Sequence, residues 1–288
     1  MLKHGEPSSI PILIAVPHAG RSYPPALLED MRDPAFSTLK LEDRYADRLA
    51  EAVAERTGAS LLVAQAPRAM IDLNRGTQEM DWTMLAGGRE TPASGRGKPV
   101  ARRARGGLGL VPRRLPDLGE IWKGTLDPAD LKDRVEGIYQ PYHAELSATL
   151  ASLRSRWGAA LLVDLHSMPP LAPASGRGAE IVVGDRFGAS CDGGLVASAF
   201  AHFAAEGVLA VHNRPYAGGY ILDTHARPRN GVNAVQIEVC RRTYLDARQS
   251  APGPGLDRMV EVLTGLVDKL AQQVAMLGQY PTHRDAAE

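Results

Sequence analysis

The chain has 288 residues, 44% of them hydrophobic and 23% charged, enough to bury one large core or two small ones. Lys plus Arg and Asp plus Glu both number 33, so the net charge is zero and the basic excess of a nucleic-acid binder is missing. Two cysteines, Cys191 and Cys240, are too few for a disulfide framework and fit a reducing compartment.

The first apolar stretch, Ile10 to Val16, is too short for a membrane helix. It also lacks the long apolar region and small-residue cleavage site of a signal peptide, so the chain reads as soluble and cytoplasmic, with no membrane partner. Strands are expected at IPILIAV (10–16), SLLVAQA (60–66), AALLVDL (159–165), EIVVGD (180–185), GVLAVHN (207–213) and AVQIEV (234–239). The first three are continuous apolar runs rather than alternating ones, the pattern of strands covered on both faces. Helices are expected at 40–58, where Leu41, Tyr45, Leu49 and Val53 recur at helical spacing before Gly58, and at 130–158, with Pro141 as a kink or break. Two more follow at 194–207 and 255–278. Strands alternating with helices argue for a single three-layer α/β domain over 1–288, with a mainly parallel or mixed central sheet and helices on both faces. Residues 86–119 break the pattern: they are rich in Gly, Pro and Arg and have no periodicity. They read either as a solvated excursion or as a binding loop whose positive charges attract an anionic substrate.

Ligands of parallel α/β sheets sit beyond the C-terminal ends of the strands. Here those ends carry His18 after the first strand, and Asp164 and His166 after the third. Glu238 stands on the last strand, and Arg68, Asp72, Asn74 and Arg75 follow the second. A zinc hydrolase needs three protein ligands and an open position for water, and two His with one carboxylate meet that need. A separate carboxylate can then act as general base. No HExxH and no paired CxxC is present, so spacing alone identifies no metal site.

Seven segments occur in order: VPHAG (16–20), PRAMIDLNR (67–75), YQPYHAEL (139–146), LLVDLHSMP (161–169), IVVGDRFGASC (181–191), NRPYAGGYI (213–221) and VQIEVCRRTYLD (235–246). Together they closely resemble the N-formylglutamate amidohydrolase family, over about residues 12–246. That family is similar to the zinc carboxypeptidase, aspartoacylase and cell-wall amidase group. The resemblance implies a phosphorylase/hydrolase-like fold and one zinc, or another divalent ion, held by two His and a carboxylate. It implies His18 and His166 as ligands. The carboxypeptidase-like HxxE is absent, since Arg21 stands three residues after His18. The middle ligand is expected in LEDRYADRL, at the start of the first helix: Asp43, with Glu42 as the neighbouring alternative. Glu238 resembles the general base; its other reading is a buried Glu paired to Arg241 or Arg242. DLNR matches the aspartoacylase segment that holds a substrate carboxylate, which implies Asn74 and Arg75 in that role. Arg68 would polarise the scissile carbonyl or stabilise the oxyanion, or else be a surface Arg. Asp72 is expected as a buried partner of one of these arginines.

Gly218, Gly219 and Tyr220 would line the pocket or form a plain tight turn. His143 is expected in a structural or supporting role, His225 could line the pocket, and His212 is ambiguous. His4, His202 and His283 read as surface residues. Ser167 lacks the nucleophile elbow, and the cysteines lack an activating context. Asp164 would orient a ligand His or pair with an Arg. The implied reaction is hydrolysis of an N-acyl amino acid, best matched by N-formyl-L-glutamate going to formate and glutamate, as in histidine degradation. Another N-acyl amino acid, a cell-wall amide, a non-catalytic carboxylate binder and a nucleic-acid partner for the Arg segment remain alternatives. The sequence says nothing about oligomeric state.

Overall fold

A computed structural model of the chain describes residues 2–4, 8–87, 105–172 and 177–279. The six sequence-predicted strands all form: β2 (Ile12–Val16), β3 (Ser60–Val63), β6 (Ala160–Met168), β7 (Ile181–Gly184), β8 (Ala210–His212) and β9 (Val232–Cys240). With β1 (Leu2–His4) they make a seven-stranded sheet in the order β1-β3-β2-β6-β9-β7-β8. Pairings β3–β2, β2–β6, β6–β9 and β7–β8 are parallel; β1–β3 and β7–β9 are antiparallel. The sheet is therefore mixed but mostly parallel, as an α/β fold requires. All nine residues of β6 are buried, which explains the continuous apolar run of its first half. Burying a Leu or Val such as Leu162 or Val163 contributes about 1.5–3 kcal/mol each.

The described chain divides into two compact units. One holds Leu2–Val16, Arg44–Val63 and Glu145–Glu288, and so the whole seven-stranded sheet. In it α3 (Ala46–Thr57) packs on β2, β3 and β6, and the C-terminal helix α8 (Leu256–Gln279) packs on α3 and on α6 (Gly193–Ala205). The other unit holds Pro17–Asp43 and Ala64–Ala144. It includes α1 (Pro25–Glu29), α2 (Pro34–Leu41), α4 (Pro128–Arg134) and the hairpin β4–β5 (Arg114–Leu115, Gly119–Glu120). It has its own apolar cluster of Leu27, Met31, Leu41, Ala69, Leu115 and Ile121.

Two helices differ from expectation. The 40–58 helix is in fact the end of α2, an extended break from Glu42, and α3 starting at Ala46 after Tyr45 in the left-handed region (φ 57°). The periodicity continued across the break, but the Asp43 backbone N–H donates to His18 O (2.9 Å) instead of to a helical carbonyl. At 130–158, α4 runs through a π turn (Val135–Tyr139) into α5 (Gln140–Trp157) without stopping at Pro141. The wide turn contains Gly137, the carbonyl that the Pro141 ring would otherwise strike, so the proline is absorbed rather than ending the helix.

Of the 86–119 stretch, residues 88–104 lie outside the described residues. The described end is ordered by charge pairs: Arg113 with Asp81 (2.8 Å) and Glu120 (2.9 Å), and Arg114 with Glu120 (2.5 Å). Arg113 and Arg114 thus fasten a hairpin. His283, and the side chain of His4, also lie outside the described residues.

Candidate metal centre

His18 follows β2 in the turn Pro17-His18-Ala19-Gly20. A Cβ on Gly20 would sit 2.2 Å from Ala66 O, so only glycine allows this close backbone approach. Asp43, tied to the His18 carbonyl through its own N–H, brings Oδ2 to 3.6 Å from His18 Nδ1. The acid expected at a helix start therefore sits in the break between α2 and α3, held by a backbone bond. His166 lies two residues beyond Asp164, which pairs with Ala15 of β2. Ligand atoms of His18, Asp43 and His166 lie within 4.8 Å of one another, and all three residues are buried. Glu42 is buried too, but it is not part of this group. Two imidazoles and one carboxylate are a donor set for a divalent ion such as zinc, so this group could bind a metal.

Each histidine has an aspartate beside it. His18 Nε2 donates to Asp72 Oδ1 (2.7 Å). Asp72 is wholly buried and also accepts from Asn74 N (2.8 Å, Oδ1) and Arg68 Nε (2.9 Å, Oδ2), with Arg75 Nη2 at 3.9 Å from Oδ2. Burial alone would raise the Asp72 carboxyl, but the Arg68 and Arg75 guanidiniums and His18 outweigh it and hold it well below the usual carboxylate range. An ionised Asp72 can only accept, which places the His18 proton on Nε2 and leaves the Nδ1 lone pair, on the Asp43 side, as the atom that could bind a metal. The expectation that Asp72 pairs with one arginine is met and exceeded. Its bond to His18, 54 residues away in sequence, left no local signal. Arg68 is no surface residue: its side chain is 18% exposed and anchored on Asp72.

Asp164 Oδ2 lies 3.0 Å from His166 Nε2. Both Asp164 oxygens are buried without an aligned hydrogen bond among the described residues, so this is proximity rather than a well-directed bond. On β9, Glu238 stands level with His166 and so on the same sheet face, and its Oε1 accepts from Gln236 Nε2 (3.0 Å). Ser167 points to the opposite face, where its hydroxyl accepts from Arg241 Nε (3.1 Å).

Arg75 is buried; it spends Nε on Leu108 O (2.9 Å) and Nη1 on Asn74 O (2.6 Å). Gly219 precedes the six-residue helix α7 (Tyr220–His225), and Gly218 has φ 102°. Tyr220 is half-buried. His143 Nε2 lies 3.1 Å from Leu73 O, bracing the DLNR stretch from α5. His212, largely exposed, lies 3.0 Å from Asp185. His225 is buried on α7, 3.2 Å from Ser147 Oγ. His202 is not a surface residue: it is 8% exposed and its Nε2 donates to Val262 O (2.8 Å) on α8. Its helical spacing from Leu195 and Ala199 was the available sign of a buried face. Cys191 and Cys240 are free and buried, and burial pushes the Cys191 thiol up to about 12. Among the described residues, no helix is long and apolar enough to cross a membrane.

Comparison with known proteins places the chain among relatives of one kind. A family model described as N-formylglutamate amidohydrolase matches residues 10–245. Among curated proteins, the N-formylglutamate deformylase of Pseudomonas aeruginosa is 30% identical over 276 residues, 94% of each chain. That of Pseudomonas putida is 31% identical over 243 residues, 82% of each chain. Among solved structures, the crystal structure of N-formylglutamate amidohydrolase from Ralstonia eutropha JMP134 superposes with a TM-score of 0.82 at 29% identity, covering 94% of this chain and 96% of that one.

Proposed function

Because the chain belongs to the N-formylglutamate amidohydrolase family, we propose that it hydrolyses the amide bond of an N-acyl amino acid, N-formyl-L-glutamate first, to formate and L-glutamate. The single observation that carries this reading is the buried His18–Asp43–His166 group within a chain that matches the family over 10–245. That match spans both compact units, which supports reading 1–288 as one amidohydrolase domain.

The donor set fits zinc: two imidazoles supply nitrogen, and one carboxylate offsets part of the ion's charge. When bound, the ion would lower the pKa of water and polarise the carbonyl under attack. The protein's own groups do the rest. Glu238 takes the proton from the attacking water as the new C–O bond forms at the formyl carbon, and then delivers it to the leaving nitrogen as the C–N bond breaks. Arg68 faces the developing negative oxygen. Asn74 and Arg75 hold the substrate carboxylate, a task for which the planar guanidinium is suited. Gly219 and Tyr220 line the substrate side. Asp72 orients His18, and Asp164 places a negative charge beside His166.

Glu238→Gln tests the scheme. Turnover should fall by about 10²–10⁴-fold while metal content, read by elemental analysis, stays unchanged. An unchanged rate removes Glu238 as the base. A panel of N-formyl, N-acetyl and N-succinyl amino acids would rank the acyl group.

A further inference from the structure

One carboxylate, Asp72, serves two groups of opposite function. Its Oδ1 holds His18, and its Oδ2 holds Arg68 with Arg75 nearby. All four residues belong to one compact unit, and Asp72 is wholly buried, so its charge has no solvent to share it. We propose that Asp72 is a positioning residue that links metal binding at His18 to substrate binding at Arg68 and Arg75, so that each tightens the other. The inference rests on the hydrolase reading above.

The sign follows from the shared charge. Before substrate arrives, two guanidiniums and one imidazole N–H divide a single negative charge. Substrate oxygens on the arginines, the carboxylate on Arg75 and the scissile oxygen on Arg68, draw them away, and Asp72 then leans more on the His18 N–H. A stronger acceptor at Nε2 makes Nδ1 a better donor to a metal. The converse holds: a metal on Nδ1 polarises the Nε2–H toward Asp72, and the arginines are released toward the substrate. Linkage requires the two factors to be equal.

The test uses Zn2+ and glutarate, a dicarboxylate with no amide to cleave and no amine to chelate. Zn2+ affinity is measured by chelator competition with and without saturating glutarate, and glutarate affinity by calorimetry with and without Zn2+. The wild-type protein should show tightening of about 5-fold or more, equal in both directions. In Asp72→Asn, Zn2+ alone should bind about 10–100-fold more weakly. The coupling factor there should shrink to about 2-fold or less, well below the usual allosteric range. Direct attraction between ion and carboxylate would leave the factor intact in this variant, and that result overturns the proposal. If Asp72→Asn does not fold, Arg68→Gln replaces it, because it keeps the His18–Asp72 bond. A reduced factor with undiminished Zn2+ binding supports the link; an unchanged factor overturns it. A wild-type protein that releases formate but shows no coupling refutes the link alone. One that binds no metal and releases no formate refutes the hydrolase reading beneath it.

Discussion

His18 and His166 each stand beside a buried aspartate, yet the two pairs are built differently. Asp72 arrives from a loop far along the chain and is met by His18, Arg68 and the Asn74 backbone, all with short, aligned bonds. Asp164 sits two residues before His166 on the same strand, so the sheet dictates their separation. Strand geometry puts both side chains on one face but does not aim one at the other. The loop-borne aspartate is free to be optimised as a partner, whereas the strand-borne one is constrained to be near. His225 on α7, which the Asp164 charge acts on, brings it no positive charge at neutral pH. Burial takes His225 from its ordinary 6.5 down to about 4, against the pull of Asp164, so it is neutral near pH 7.

This contrast is open to test, beginning with stability. Asp72→Ala leaves His18, Arg68 and Arg75 without their shared partner and should cost about 3–5 kcal/mol in denaturant unfolding. Asp164→Ala should change stability by about 1 kcal/mol or less, because removing a poorly bonded buried carboxylate also removes its desolvation cost. Equal losses would erase the distinction. The pH dependence comes next. A histidine whose folded pKa is depressed costs stability as acid is added: its contribution is intact above about pH 6.5 and is lost toward pH 4, by at most about 3 kcal/mol. The melting temperature of the wild type should therefore fall faster between pH 6.5 and 4 than that of His225→Gln. Parallel curves would show that His225 is not held neutral. Metal affinity should follow the same ranking on a smaller scale, with Asp164→Asn weakening Zn2+ by less than about 10-fold, below the usual effect of losing an outer carboxylate. The smallest effect lies away from both pairs: Cys191, its thiol raised to about 12, should resist iodoacetamide at pH 8 in the native protein.

The parts legible in the sequence were those encoded locally. Continuous apolar runs gave β2, β3 and β6 away, and strand ends pointed to His18 and His166. Asp43 came from family resemblance, and its setting was misjudged because the periodicity from Leu41 to Val53 runs unbroken across a tertiary bond to His18. Pro141 looked like a kink or break because a π turn is invisible to periodicity. Asp164 drew attention through its spacing from His166, while the better-bonded Asp72 joined His18 across 54 residues that no pattern bridges. Long-range polar pairing, unlike burial, leaves no period to read.

The central claim is metal-dependent release of formate from N-formyl-L-glutamate. The direct measurement is formate production by chelator-stripped protein before and after titration with Zn2+. The account predicts no turnover in the stripped protein and recovery that saturates at one ion per chain. Full turnover without metal, or no formate release with any divalent ion, would contradict it.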